Sequence, residues 1–199
     1  MPKIINHKEK KEQIIQYAFQ SIVENGAKGS TVRQIAKLAQ MTPGQIRYYF
    51  PSHSELLSAV MSEVELKVRR RIEAILTSDN QDTIDKVKAC LLTVLPLDEE
   101  RLADMEVWMA FRYDSHEYGQ STLDDGLDEL CTTVLTILER DNLLKNNSNI
   151  HLNSMRLHAL IDGLALHKLL NPKQTSNEDI GSNCIRRNFK AYEIKEDKS

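Results

Sequence analysis

Apolar residues recur along this chain at spacings of three and four, and no run shows the alternation that marks a half-buried strand. Residues 8 to 25 carry Ile14, Ala18, Phe19 and Ile22 on one stripe and stop at Gly26. Thr31 and Gln34 form a capping pair that starts a second helix, with Val32, Ile35, Ala36 and Ala39 on a narrow apolar face. Thr42 and Pro43 then supply a hydroxyl N-cap and a proline at the first helical position, where its missing N–H costs nothing. This third helix is short, because Pro51 ends it and Ser52 with Glu55 caps the next. A long helix follows to about Leu76, with Leu56, Leu57, Val60, Val64 and Val68 on its inner stripe. Further helices are predicted over about 82–95, 98–116, 120–144, 151–170 and 177–192, separated by polar clusters such as 145–149 and 171–177. Few glycines and prolines fit the same picture, an all-α chain of about nine helices.

The segment from Thr31 to Phe50 therefore reads as two short helices joined by a tight turn, a helix-turn-helix. On its second helix Ile46 and Phe50 face the core. Thr31, Arg33, Thr42, Gly44, Gln45, Arg47 and Tyr48 remain for DNA, while Tyr49 serves either packing or a phosphate. These residue types suit DNA, since glutamine pairs with adenine, arginine with guanine or phosphate, and tyrosine hydroxyls donate to phosphates. Charge supports this reading. Residues 1–51 hold eight Lys/Arg against three acids, a net +5, whereas the whole chain is −3, which leaves −8 on the remainder. An acidic protein with a basic head suits a polyanion binder whose body does something else.

With TVRQIAKLAQMTPGQIRYYF preceded by Glu24-Asn25-Gly26 and followed by FPSHSELLSAV, the first third of the chain resembles the N-terminal domain of the tetracycline-repressor (TetR) family. Thr31, Ile35, Ala36, Ala39, Thr42, Gly44, Ile46, Tyr49 and Phe50 stand in register with that family's pattern. Two positions depart from it. Gln40 stands where the family usually has a turn glycine, so a side chain must adopt the turn geometry at some conformational cost. His53 stands where it usually has lysine at a phosphate-binding helix start, and is expected to be a weaker, pH-dependent phosphate partner. The resemblance implies a homodimer that binds double-stranded DNA at a palindromic operator and responds to a small molecule.

Beyond the head, the helix over about 151–170 is apolar nearly all round and carries Gly163 in its middle, at a cost of roughly 1 kcal/mol relative to alanine unless close approach repays it. Leu160, Gly163, Leu164 and His167, with Ile185 and Phe189 of the last helix, are the expected dimer interface. The alternative is that the last helix closes the monomer core. Helix 98–116 places Met105, Trp108, Met109 and Arg112 on one side and Phe111 on another, a set that suits either a small-molecule pocket or plain core packing. His158 and Asp162, one turn apart, either pair structurally or contact a ligand. MEVWMAFRYDSHEY and LHALIDGLALHKLLNP resemble the body of the BetI-like branch of the family, in which the body senses a ligand.

The expected division is a DNA-binding domain over 1–51, a ligand-binding and dimerisation domain over 52–192 and a disordered tail over 193–199. No nucleophile motif, phosphate loop or metal-ligand spacing occurs, so no enzyme, cofactor or metal is expected. Three scattered cysteines and the lack of a long apolar run predict a reduced, cytoplasmic protein without membrane attachment. The alternative function is a DNA-bound structural or cell-division factor without a small effector.

Overall fold

The computed structural model describes residues 7–79, 81–117, 126–144, 149–171, 176–178, 180, 184 and 185, with side chains omitted at 27, 113 and 115–117. Phe189, most of the last predicted helix, the predicted start of the 120–144 helix and the 193–199 tail lie outside them. Among the described residues there are eight helices and no extended strand: α1 His7–Gly29, α2 Val32–Leu38, α3 Pro43–Tyr49, α4 His53–Leu76, α5 Thr83–Thr93, α6 Glu99–Glu117, α7 Leu127–Arg140 and α8 Ile150–Leu170. The all-α expectation holds. The chain forms two compact units, Met1–Leu66 with Ala103–Leu123, and Lys67–Leu102 with Asp124–Ser199, so that α4 and α6 each run from one into the other.

In the first unit, Ile14, Ala18 and Ile22 of α1, Ile35 and Ala36 of α2, Ile46 of α3 and Leu56, Leu57 and Val60 of α4 are buried. Each large aliphatic residue of this set contributes about 1.5–3 kcal/mol by leaving water. That burial matters because α2 and α3 have seven residues each, far below the length at which an isolated helix persists in water. Helix α1 breaks at Gly26, whose φ of 68° suits a residue without Cβ. The joint between α2 and α3 is a Schellman turn: Met41 N–H donates to the Ala36 carbonyl at 2.8 Å and Gln40 N–H to Lys37 at 3.3 Å. Gln40 has φ 52°, so it adopts with a side chain the left-handed geometry expected where the TetR family usually has glycine, at a cost on the order of 1–2 kcal/mol.

In the second unit α5 and α8 both pack against α7. Val87, Cys90 and Leu91 of α5, Leu130, Cys131, Val134, Leu135 and Leu138 of α7, and Leu157, Ile161 and Ala165 of α8 are buried, as are Ile180 and Ile185. The buried hydroxyl of Ser154 meets Thr132 Oγ1 at 3.0 Å. Arg101 clips the α5–α6 turn, donating to the Leu92 carbonyl at 2.9 Å and pairing with Asp98 at 2.8 Å. The Arg101 amide holds the Asp98 carboxyl below its ordinary range, and Lys67 and Arg71 do the same for Glu100. Burial pushes the Cys90 thiol up to about 11, which makes it inert.

Candidate DNA-binding site

Two N-caps set the reading surface. Gln34 N–H donates to Thr31 Oγ1 at 3.3 Å and starts α2. At α3 the cap is reciprocal: Gln45 N–H donates to Thr42 Oγ1 at 3.2 Å, and Thr42 N–H donates to Gln45 Oε1 at 2.8 Å. The full capping box therefore sits at Thr42–Gln45. Both threonines are exposed, and each hydroxyl still has its own proton to donate outward. Gln45 is also exposed, but its carbonyl oxygen serves the cap, so the Nε2–H2 group is the part of the amide left to act as an outward donor.

Around α3 the remaining candidates point to solvent. Arg33, Gly44 and Arg47 are exposed or nearly so, Tyr48 is 73% exposed and Tyr49 is half-buried. A Cβ added at Gly44 would meet Thr42 Oγ1 at 3.9 Å, an ordinary contact. Nothing among the described residues requires glycine there, and its bare backbone admits close approach from outside. Tyr48 and Tyr49 meet edge to face at 5.1 Å, and the His7 ring of α1 lies 4.8 Å from Tyr49 and 6.1 Å from Tyr48. Lys11, one turn on, sits 5.3 Å from the Phe50 ring centroid. The first turn of α1 thus packs against the end of α3. The sequence marked neither His7 nor Lys11 as a neighbour of α3; their spacing of four is the one local hint.

His53 is turned inward. Its Nε2 lies 2.8 Å from the Ser30 carbonyl and its Nδ1 3.4 Å from Asp114 Oδ1 of α6, while Ser54 donates to Asp114 Oδ2 at 2.6 Å. Both ring nitrogens that were expected to serve a phosphate have partners inside the first unit.

Of the candidate ligand residues, Met105 is buried, Trp108, Met109 and Phe111 are half-buried and Arg112 is exposed, all in the first unit. The Arg112 guanidinium lies 5.4 Å from the Trp108 ring centroid. His158 and Asp162 belong to the second unit, 3.5 Å apart, with Asp128 at 3.8 Å on the other ring nitrogen. Of the candidate interface residues, Leu160, Gly163 and Leu164 are half-buried, His167 is exposed and Ile185 is buried within its own chain. The exposed apolar residues of α8 are Leu152, Met155, Ala159, Leu166 and Leu170, and the half-buried Gly163 lies along the same stripe.

Two capped helices around a Schellman turn, the second baring polar side chains on a basic segment, make this a helix-turn-helix DNA-binding protein. Its first domain matches the model of bacterial regulatory proteins of the tetR family over residues 14–60, and its body matches that of the BetI-type transcriptional repressor C-terminal domain over residues 83–184. The chain belongs to the TetR family of transcriptional regulators. It is 36% identical to the HTH-type transcriptional regulator PksA of Bacillus subtilis over 182 residues, which cover 90% of this chain and 88% of that one. It is 28% identical to the regulator BetI of Stenotrophomonas maltophilia over 167 residues, covering 83% and 84%. A transcriptional regulator of Saccharomonospora viridis, solved in complex with choline, shares the fold with a TM-score of 0.75, at 19% identity over 94% of this chain and 98% of that one. Among the described residues no helix is long and apolar enough to cross a membrane.

Proposed function

We propose that this regulator is a cytoplasmic repressor that binds a palindromic operator as a homodimer and is released by a small molecule held in its body. The observation that carries the operator reading is α3, which bares Gln45, Arg47 and Tyr48 while Ile46 anchors it. Residues 1–51 act as the reading head and 52–192 as the sensing and dimerising part. Dimerisation draws support from α8: its exposed stripe repeats at spacings of three and four, and a Cβ added at Gly163 would meet nothing within 4 Å. No described neighbour inside the chain accounts for that glycine, whereas close approach of a second α8 does. A dimer places two α3 helices on successive turns of one duplex face, which makes the operator two-fold symmetric. Selection of binding duplexes from a random pool with the full chain tests this. An enriched two-fold site with half-site centres about 10 base pairs apart, or a multiple of that, is expected. Recovery of no enriched sequence would count against the operator reading and for a factor that coats DNA.

The effector reading rests on Trp108. Its face already holds one cation, the Arg112 guanidinium, and Asp104 is a buried carboxylate one turn earlier on α6. An aromatic face of this kind takes an organic cation of the choline type in place of the arginine. Trp108 is the only tryptophan, so intrinsic tryptophan fluorescence reports this site alone. Titration with choline or tetramethylammonium is expected to shift its emission saturably and to release the selected duplex. Unchanged emission and unchanged DNA binding at millimolar concentrations of both would rule this effector class out.

A further inference from the structure

The stripe of α1 that carries Ile14, Ala18 and Ile22 into the core continues backwards at helical spacing through Lys11 to His7. Both of these polar residues are thereby turned toward the end of α3. Lys11 lies against the ring of buried Phe50, the C-cap of α3, and one turn earlier His7 meets the rings of Tyr48 and Tyr49. The three rings close a triangle. Tyr48 stands at 90° to Tyr49 and at 69° to His7, the edge-to-face arrangement that aromatic pairs prefer. Tyr49 is half-buried, whereas Tyr48 is exposed over most of its surface. A ring so exposed is held by little beyond this triangle, and without it would spread over the staggered χ1 wells open to a helical residue. On the operator reading Tyr48 is one of the side chains that α3 bares toward DNA, and a side chain already in its bound rotamer costs less to engage.

We propose that His7 is a positioning residue for DNA reading: its ring, backed by Tyr49, fixes the rotamer in which Tyr48 presents its hydroxyl to a phosphate. The inference rests on the operator-binding reading and deepens it at one side chain. What the triangle uses is the shape and the π face of the His7 ring, so a phenyl ring serves as well as an imidazole. The size of the effect follows from populations. Where one χ1 well is competent, the affinity of a head falls in proportion to the fraction of time its tyrosine spends there. Releasing Tyr48 into two or three wells leaves about a half to a third of that fraction, and two heads on one operator square the loss to roughly four- to tenfold. Little stability goes with it, because His7 is exposed and lies in the first turn of α1.

Affinity of the full chain for its selected duplex is measured for wild type, His7→Ala, His7→Phe, Tyr48→Ala and the double variant of His7→Ala with Tyr48→Ala, beside thermal melts. In the free proteins, three-bond couplings from Tyr48 Cγ to its own backbone nitrogen and carbonyl carbon report the χ1 rotamer. His7→Ala is expected to weaken binding roughly four- to tenfold with an unchanged melt, and to average those couplings. His7→Phe is expected to restore affinity to within about twofold of wild type and to keep a single Tyr48 rotamer. In the Tyr48→Ala background, His7→Ala should cost less than about twofold, because the ring that it positions is gone. A residue that contacts DNA by itself would cost as much in either background and would not be replaced by phenylalanine. Equal losses in the two backgrounds, a His7→Phe as weak as His7→Ala, or a single Tyr48 rotamer that persists in His7→Ala overturn the proposal. Tyr48→Ala binding as wild type overturns it too, since there would be no contact to position. Should wild type select no duplex, the operator reading fails, while the couplings still decide whether His7 holds the Tyr48 ring.

Discussion

Leu166→Glu on α8 is expected to leave the chain monomeric at micromolar concentration and to lower its affinity for the selected duplex at least about 100-fold, with helical content retained. Leu166 is 41% exposed and lies one turn from Gly163, where no described residue of the chain fills the space a Cβ would take. In a two-fold interface each substitution appears twice. Each copy forfeits about 1.5–3 kcal/mol of apolar burial and adds a carboxylate whose desolvation costs several more. A micromolar to nanomolar dimer holds together by only about 8–12 kcal/mol, so the doubled loss is enough to split it. The DNA effect follows from geometry: one bound head raises the effective concentration of the other to the millimolar range, and a lone head loses that gain. Sedimentation velocity and a mobility-shift titration check both halves. A dimer that persists and binds as wild type would remove α8 from the interface.

The stripe containing Leu166 was hidden in the sequence for a physical reason. Helix α8 is apolar nearly all round, so periodicity shows that more than one side must be covered without showing which side faces its own chain. The inward side begins with polar residues ahead of Leu157, Ile161 and Ala165: Asn153 and Ser154 are buried and Ser154 meets Thr132, while Leu152 and Met155 beside them are 43% and 55% exposed. Hydropathy ranks those four in the opposite order. The head was more legible because its signals are local. The caps at Thr31, Thr42 and Ser52 lie within three residues of their partners, and Ile46 and Phe50 are one turn apart. Gln40 was legible only through the resemblance, because it stands where the family usually has a turn glycine, and its φ of 52° is the left-handed geometry that glycine takes easily. The partner of His53 was not, because Asp114 is 61 residues away and no spacing rule reaches that far. Gln45 shows a third case: its residue type suggested a base reader, whereas its position three residues after Thr42 also makes it a cap.

That double duty gives Gln45→Glu a large and separable effect. Glutamate at this position keeps the oxygen that accepts the Thr42 N–H, and a negative charge in the first turn of a helix is favourable, so α3 should be as well capped as before. Its outward atom changes from an N–H2 donor to a carboxylate oxygen facing a polyanion. Losing one base contact costs about 1–3 kcal/mol per half-site, and the dimer presents the change twice, so a loss of roughly 30-fold or more in operator affinity is expected. Thermal unfolding should remain within about 2 °C of wild type, because an intact cap leaves less than about half a kcal/mol to lose. Gln45→Ala removes the cap as well and should lower stability by about 0.5–2 kcal/mol in addition. Tyr48→Ala serves as the companion, since a side chain 73% exposed has little stability to lose and, on the proposed reading, a phosphate contact to give up. Mobility-shift titrations beside thermal melts separate the two roles. If Gln45→Glu and Tyr48→Ala both bind as wild type, α3 is not the helix that reads DNA, whatever its caps contribute to the fold.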